Sequence, residues 1–512
     1  MNSNLNEQKQ DFLTGALILS LAGLISQFLG VFSKIFLLWR IGEEGVGIYN
    51  FPYPFFAIIL SFSSVGFNIA ISKLVAEAKA NNDDQRAQLV FQQGRKISIK
   101  FGLLGTLLLA LLAYPMANYV HNDARALFSY LALAPTAFLT SFQATYRGYF
   151  QGLQNVKPNA YSQLIEQTFR IIIMLLLAWL LLPLGLTYAA AGATFGAAAG
   201  ALAASFYLAY LYKKSTVATL QPWSGIAQEV KSLNQEIIKH ALPISFAGIG
   251  LPAFLLADSL LITNRLQSAG HTLSQATTTY GMFANNAMSL ITMPTILTGS
   301  LFVTLIPAIA AARAAEQTQK TRALVNKALL ITLVFALPAA IGMNSVALEL
   351  TNILRMSEAT ALVLKTLSYA LPFIALQQVS SGILQGAGIR ILPVVHMFFG
   401  ALIKLLGNFI LIPKLGIDGA AYSTIAGFAI AALLNLYQVY KEDEQSLKSW
   451  SLILIYTISS ILMGWALRLI EPLTANFISL AALIIKSLLG IIVYFALVIL
   501  LNFAIKNFKK RK

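Results

Sequence analysis

Phe12-Leu-Thr-Gly-Ala-Leu-Ile-Leu-Ser-Leu-Ala-Gly-Leu-Ile-Ser-Gln-Phe-Leu-Gly-Val-Phe-Ser-Lys-Ile-Phe-Leu-Leu-Trp39 is an apolar run that carries a single formal charge, Lys34. At 1.5 Å per residue, a helix of that length exceeds the ~30 Å of hydrocarbon in a bilayer. The eleven residues before it, Met1 to Asp11, are polar. The run is too long for a signal-peptide core, so it is expected to stay as the first membrane span.

Comparable runs recur along the chain, near 12–39, 47–72, 97–120, 126–146, 158–182, 186–212, 240–263, 281–310, 328–348, 366–385, 391–412, 417–440, 449–467 and 476–505. Of 512 residues, 57% are hydrophobic and 11% charged, against roughly 25% charged in an average soluble domain. The pattern predicts an all-α polytopic membrane protein with about 14 transmembrane helices. Cysteine is absent, which excludes disulfides and thiolate metal sites. The four histidines, His121, His240, His271 and His396, lack metal-ligand spacing and read as loop or packing residues.

A formal charge of +16 invites a nucleic-acid reading, but its distribution opposes one. With the N-terminus inside, alternate loops and tails on the inner side hold 25 of the 36 Lys and Arg. The outer loops hold Arg40, Arg125, Arg265, Arg355, Lys365, Lys414 and Arg468. This is the positive-inside asymmetry, and it predicts a plasma-membrane protein with both termini cytoplasmic. The basic tail then meets anionic lipid, and no nucleic-acid partner is expected.

The two halves repeat. Ser20-Leu-Ala-Gly23 and Arg40 correspond to Ser245-Phe-Ala-Gly248 and Arg265 at an offset of 225. Gly47-Ile-Tyr49 and Gln151-Gly152 correspond to Gly281-Met-Phe283 and Gln385-Gly386 at an offset of 234. Gly185 to Gly196 similarly matches Gly416 to Gly427. Six spans per copy is an even number, so the copies share orientation, as in transporters built from parallel repeats. The expected organisation is an N-terminal lobe at 1–215, a cytoplasmic linker at 216–239 and a C-terminal lobe at 240–440. Two appended spans and a basic tail follow at 441–512. Gly192, Gly196 and Gly200, four apart, predict a closely packed helix neighbour. Pro52, Pro54, Pro243, Pro252, Pro294 and Pro307 predict static kinks or bending points.

Charges inside spans carry the functional reading, because each costs ~2.5–3.5 kcal/mol at bilayer centre and needs a partner or water. Lys34, Glu166, Arg170, Asp258, Lys404 and Lys486 lie within spans, and Arg40, Arg147 and Arg265 at span ends. Asp258 aligns with Ser33, next to Lys34, across the repeat. Glu166 and Arg170 are four apart, in the order that favours an intrahelical ion pair; the alternative is that Arg170 meets substrate. Lys404 and Asn408 share a face of span 11. Lys486 is expected to have no intramembrane acid nearby and to snorkel or line a groove. Bases outnumber acids, which suits an anionic substrate better than a cationic drug. No loop carries paired carboxylates, a Ser/His/Asp set or a phosphate-binding Gly-Lys motif, so an enzyme is not expected.

Tyr146-Arg-Gly-Tyr-Phe-Gln-Gly-Leu-Gln-Asn-Val-Lys-Pro158, running on to Ser162-Gln-Leu-Ile-Glu-Gln-Thr-Phe-Arg170, resembles the signature of stage V sporulation protein B and MurJ-like polysaccharide transporters. Ser26-Gln-Phe-Leu-Gly30 in span 1 is similar to theirs as well. These belong to the multidrug/oligosaccharidyl-lipid/polysaccharide (MOP) exporter superfamily. The resemblance implies two six-helix lobes related by a parallel pseudo-twofold, plus two C-terminal helices. It further implies alternating access and flipping of lipid II, with the polyprenyl tail held in lipid along spans 13 and 14. Substrate binding would fall to Lys34, Arg40, Arg147, Glu166, Arg170, Asp258, Arg265 and Lys404, with Lys34, Arg40 and Arg265 on the pyrophosphate. In the Gram-negative branch the positions of Gln27 and Ser33 are arginines, and here no Lys or Arg occurs between Arg40 and Lys73. Some members bind sodium through spans 7 and 11. Here Asp258 could serve as a ligand, while Lys404 stands close to where span 11 supplies one and its ammonium could replace the cation. No cofactor is expected, and coupling to membrane potential, proton or sodium stays open. The partners are then a lipid-linked oligosaccharide and membrane lipids, with the protein a monomer. Another polyprenyl-linked sugar unit, a cation-coupled multidrug exporter and a non-transporting scaffold are the competing readings.

Overall fold

The computed structural model describes residues 2–214, 227–443, 450–474 and 477–511. The first part of the expected linker, 216–226, lies outside the described residues, as do Lys448 and Lys512 of the basic count. Among the described residues every regular element is helical, as hydrocarbon demands of a chain that must satisfy its own backbone polar groups.

In chain order the helices are α1 (Asn2–Asn50), α2 (Tyr53–Leu60), α3 (Gly66–Ala80), α4 (Asp84–Pro115), α5 (Ala126–Gly152), α6 (Lys157–Leu181), α7 (Leu186–Lys214), α8 (Ala227–Ala247), α9 (Gly250–Ser268) and α10 (Leu273–Gly281). There follow α11 (Met288–Thr292), α12 (Thr295–Ala314), α13 (Thr318–Ser345), α14 (Ala347–Ile353), α15 (Glu358–Ser368), α16 (Leu371–Gly386), α17 (Leu392–Leu415), α18 (Ile417–Glu442), α19 (Trp450–Thr474) and α20 (Ser479–Arg511). α1 kinks at Gly42, whose φ of 69° is open to glycine at little cost.

Among the described residues eleven helices are long and apolar enough to cross a membrane, and two bent pairs raise the figure to 13. The pairs are Gln228–Ala247 with Gly250–Ser268 and Glu358–Ser368 with Leu371–Gly386, each bent by 50°. The run expected at 126–146 is α5, 27 residues long. It buries Ser141, Gln143 and Thr145 among its neighbours, so it is long enough to cross yet less apolar than the rest.

By packing, the chain forms two compact units: Met1–Leu260 with Leu273–Gly281, and Leu261–Thr272 with Met282–Lys512. The repeat begins its second copy near 240, whereas the first packing unit continues to Leu260. Ser259 of α9 donates to the Phe51 carbonyl at 3.1 Å, and α8 contributes by inserting Leu233, Ile237 and Ala241 into a core with Phe67, Leu74 and Phe91. Gly66 permits this: a Cβ there would lie 2.4 Å from the Ala241 carbonyl oxygen. Lipid supplies no hydrophobic drive between helices, so such close backbone approaches do the holding.

The second unit centres on Leu305, Ile309, Val325, Leu329, Val379 and Ile383, contributed by α12, α13 and α16. The appended α19 and α20 pair through Met463, Leu467 and Tyr494, against Val334 and Ile341 of α13.

Candidate functional site

α6 is the element that places charge inside the first unit, and α7 sets its position. A Cβ on Gly196 would sit 2.7 Å from the Arg170 carbonyl oxygen, and one on Gly200 would sit 2.3 Å from that of Glu166. The glycine stripe predicted to allow a close neighbour therefore lies against the turn that carries both charges.

Glu166 and Arg170 do not pair with each other, which corrects the reading from their spacing. Glu166 Oε2 accepts from Arg147 Nη2 of α5 at 2.7 Å, with both side chains 23% exposed. Arg147 Nε also donates to Ser162 Oγ at 3.0 Å, and the Asn159 amide donates to the Arg147 carbonyl at 2.9 Å. A partner from an adjacent helix thus displaces the weak intrahelical pair. Arg147 and Glu166 neutralise each other.

Arg170 turns instead to two tyrosines. Its Nη2 donates to Tyr53 Oη at 3.2 Å, and Tyr53 donates to Tyr49 Oη at 2.8 Å. The guanidinium carbon lies 5.5 Å from the Tyr53 ring centroid, a cation–π distance. Lys34, on α1, stands within electrostatic reach of Arg170 and Tyr49. Among the described residues neither Lys34 nor Arg170 has a carboxylate within ion-pair distance. Two cations and two phenol hydroxyls converge, with the nearest acid already engaged. This cluster can hold an anion.

The other expected residues are distributed differently. Arg40 is exposed near the kink of α1 and lies off the face of Lys34. Asp258 is buried in the first unit, at 3% exposure. In the second unit the Arg265 guanidinium stacks on Phe409 of α17, 3.7 Å from the ring centroid. Lys404, also on α17, is fully buried and does not snorkel. Lys486 is likewise buried, and the expectation that it lacks a nearby acid is corrected: it pairs with Glu349 of α14. A cavity of ≈ 430 Å³ beside this pair runs between α13 and the α19–α20 hairpin, walled by Val334, Phe335, Met463, Leu467 and Phe495.

Tyr49 and Tyr53 were not among the expected site residues, although a Tyr-x₃-Tyr spacing in an apolar run is a readable signal. A further network at the far end of the first unit was equally missed. Arg125 forks onto Asp123 with two contacts of 2.8 Å and reaches Glu44 at 2.8 Å, while Thr277 donates to Asp123 Oδ2 at 3.0 Å. Beside it His121 stacks on Phe51 at 4.1 Å and bonds Tyr130 Oη at 2.9 Å. Burial lowers the His121 pKa to about 3, although the Asp123 carboxylate opposes that shift. It is a packing histidine.

Residues 12–313 match the polysaccharide biosynthesis protein family. The chain belongs to that family. It is 31% identical to stage V sporulation protein B of Bacillus subtilis over 86% of each chain. It is 25% identical to the lipid II flippase MurJ of the same organism, over 91% of this chain and 90% of that one. In fold it is similar to a MurJ structure in an inward closed conformation, at a TM-score of 0.69 and 16% identity, covering 94% of this chain and 98% of that chain. It is also similar to an inward-facing multidrug resistance transporter of the MOP superfamily, at a TM-score of 0.70 and 16% identity, covering 83% and 96%. The membership read from Tyr146–Arg170 and the all-α polytopic fold both hold.

Proposed function

We propose that this family member is a flippase that moves lipid II, the undecaprenyl-pyrophosphate-linked peptidoglycan precursor, across the cytoplasmic membrane by alternating access. The observation that carries the reading is the Lys34–Arg170–Tyr49–Tyr53 cluster. A pyrophosphate offers several anionic oxygens, and charge-assisted hydrogen bonds to them are about twice as strong as neutral ones. A cationic drug would find no acid there, since Glu166 is taken by Arg147. Arg147 is a positioning residue in this scheme, because it removes the one carboxylate that would otherwise compete for Arg170. The appended helices and the apolar cavity beside α19 and α20 suit a substrate with a long isoprenoid tail. Lys404, buried within the second unit, is proposed to take the place of a coupling cation.

The decisive experiment is flipping of lipid II in vesicles reconstituted with the purified chain, normalised to folded protein. Arg170→Gln and Lys34→Gln should each slow flipping about tenfold or more, since losing a charged hydrogen bond costs ~1.5–3 kcal/mol. Unchanged rates in both variants would remove the basis of the proposal. Depleting the protein and identifying the lipid-linked intermediate that accumulates separates lipid II from another polyprenyl-linked sugar.

A further inference from the structure

A second cavity of the second unit, ≈ 680 Å³, lies apart from the one beside Lys486, between α13, α16, α18 and the start of α19. Its walls are mainly leucine, with Leu330, Leu333 and Leu337 of α13 facing Leu433 and Leu436 of α18. The 50° break between Ser368 and Leu371 brings Tyr369 and Phe373 into the wall at one end. The other end is polar, where Asn326, Tyr437 and Tyr440 line it. From Asn326 to Leu337, α13 rises about 16 Å, roughly half the hydrocarbon thickness. The groove is therefore one leaflet deep.

Charge at the polar end is unbalanced. Both acids that close α18 are engaged: Glu442 by Arg313 at 3.2 Å and Asp443 by Arg322 at 2.5 Å. Lys441 follows Tyr437 by one turn, and Lys327 adjoins Asn326; both are exposed. Among the described residues neither lysine has a carboxylate within ion-pair distance. Two exposed lysines, each next in sequence to a residue that lines the polar end, thus accompany two phenols at one end of an apolar slot.

We propose that this groove is a binding site for an anionic phospholipid of the leaflet at that end. The acyl chain lies along the leucines, the glycerol esters meet the tyrosine hydroxyls, and the phosphate is held by Lys327 and Lys441. The two lysines select an anionic over a zwitterionic headgroup. The inference rests on the membrane-spanning reading and not on the identity of the transported lipid.

Native mass spectrometry tests it, using the full chain in mixed micelles with equal amounts of phosphatidylglycerol and phosphatidylcholine. One phosphatidylglycerol per protein should survive detergent stripping, preferred about tenfold or more. Lys327→Gln with Lys441→Gln should reduce that preference to within about twofold while lipid is still retained. Leu333→Trp, which fills the groove, should displace both lipids; if it does not elute as a single folded species, Leu436→Trp on the facing helix reads the same space. Equal retention of the two lipids by the unaltered chain overturns the proposal. So does a preference indifferent to the lysines, or capture of added undecaprenyl phosphate in place of the phospholipid.

Discussion

Replacing Glu166 and its two basic neighbours one and two at a time separates a tertiary ion pair from a helical one. Arg147 gives Glu166 a 2.7 Å charged hydrogen bond, and both groups are mostly shielded from water. Hydrogen bonds to charged groups contribute ~1.5–3 kcal/mol, and neighbours in one network couple by ~0.5–3 kcal/mol. The Arg147→Gln and Glu166→Gln cycle should therefore show a coupling of about 2 kcal/mol, each single change costing nearly what the double does. The Glu166→Gln and Arg170→Gln cycle should be additive within ~0.5 kcal/mol. Arg170→Gln alone should cost about 1–2 kcal/mol, through its bond to Tyr53 and the cation–π contact. The assay is equilibrium unfolding in mixed detergent micelles, followed by tryptophan fluorescence. A coupling between 166 and 170 larger than that between 147 and 166 would refute the assignment and restore the intrahelical pair.

Four further outcomes follow from the packing and the charge placement. Gly200→Ala should destabilise the protein by about 1–3 kcal/mol, because the new methyl meets backbone. Gly299→Ala, where nothing lies within 4 Å, should be near neutral in the same unfolding assay. Glu349→Gln or Lys486→Met alone should cost ~3–5 kcal/mol, whereas the double change should recover most of that loss; a double variant no better than either single would show that the pair is not the cause. His121, neutral when folded with a pKa near 3, takes up a proton on unfolding below about pH 6.5. Its contribution is complete above that value and declines as pH falls towards 3; ring-nitrogen NMR shifts should report a neutral imidazole at pH 5, and a protonated ring there would contradict its burial. A cysteine placed at exposed position 271 should react with an impermeant thiol reagent only from outside the cell; labelling from the cytoplasmic side alone would reverse the orientation drawn from the basic residues.

The membrane-spanning class, the positions of nearly all spans and the family were legible in the amino-acid order alone. Hydropathy is a property of one segment against its solvent, so Phe12 to Trp39 declares itself wherever its neighbours lie. Even the glycine stripe of α7 was readable, because four-residue spacing places small side chains on one face. The run expected at 126–146 folds as one 27-residue helix, α5, but its polar residues keep it out of the set apolar enough to cross. Which charges meet was a different matter. Local spacing favoured Glu166 with Arg170, yet a helix pair worth a few tenths of a kcal/mol yields to an arginine brought alongside by packing. Nothing near Lys486 in the chain suggested Glu349, 137 residues earlier, nor did Arg170 announce Tyr49 and Tyr53. The continuation of the first packing unit to Leu260 was equally hidden, since it involves Gly66 admitting α8 and Ser259 of α9 reaching the Phe51 carbonyl. Ion pairing and helix docking act between backbones remote in sequence, over distances of a few ångströms that only the folded chain sets.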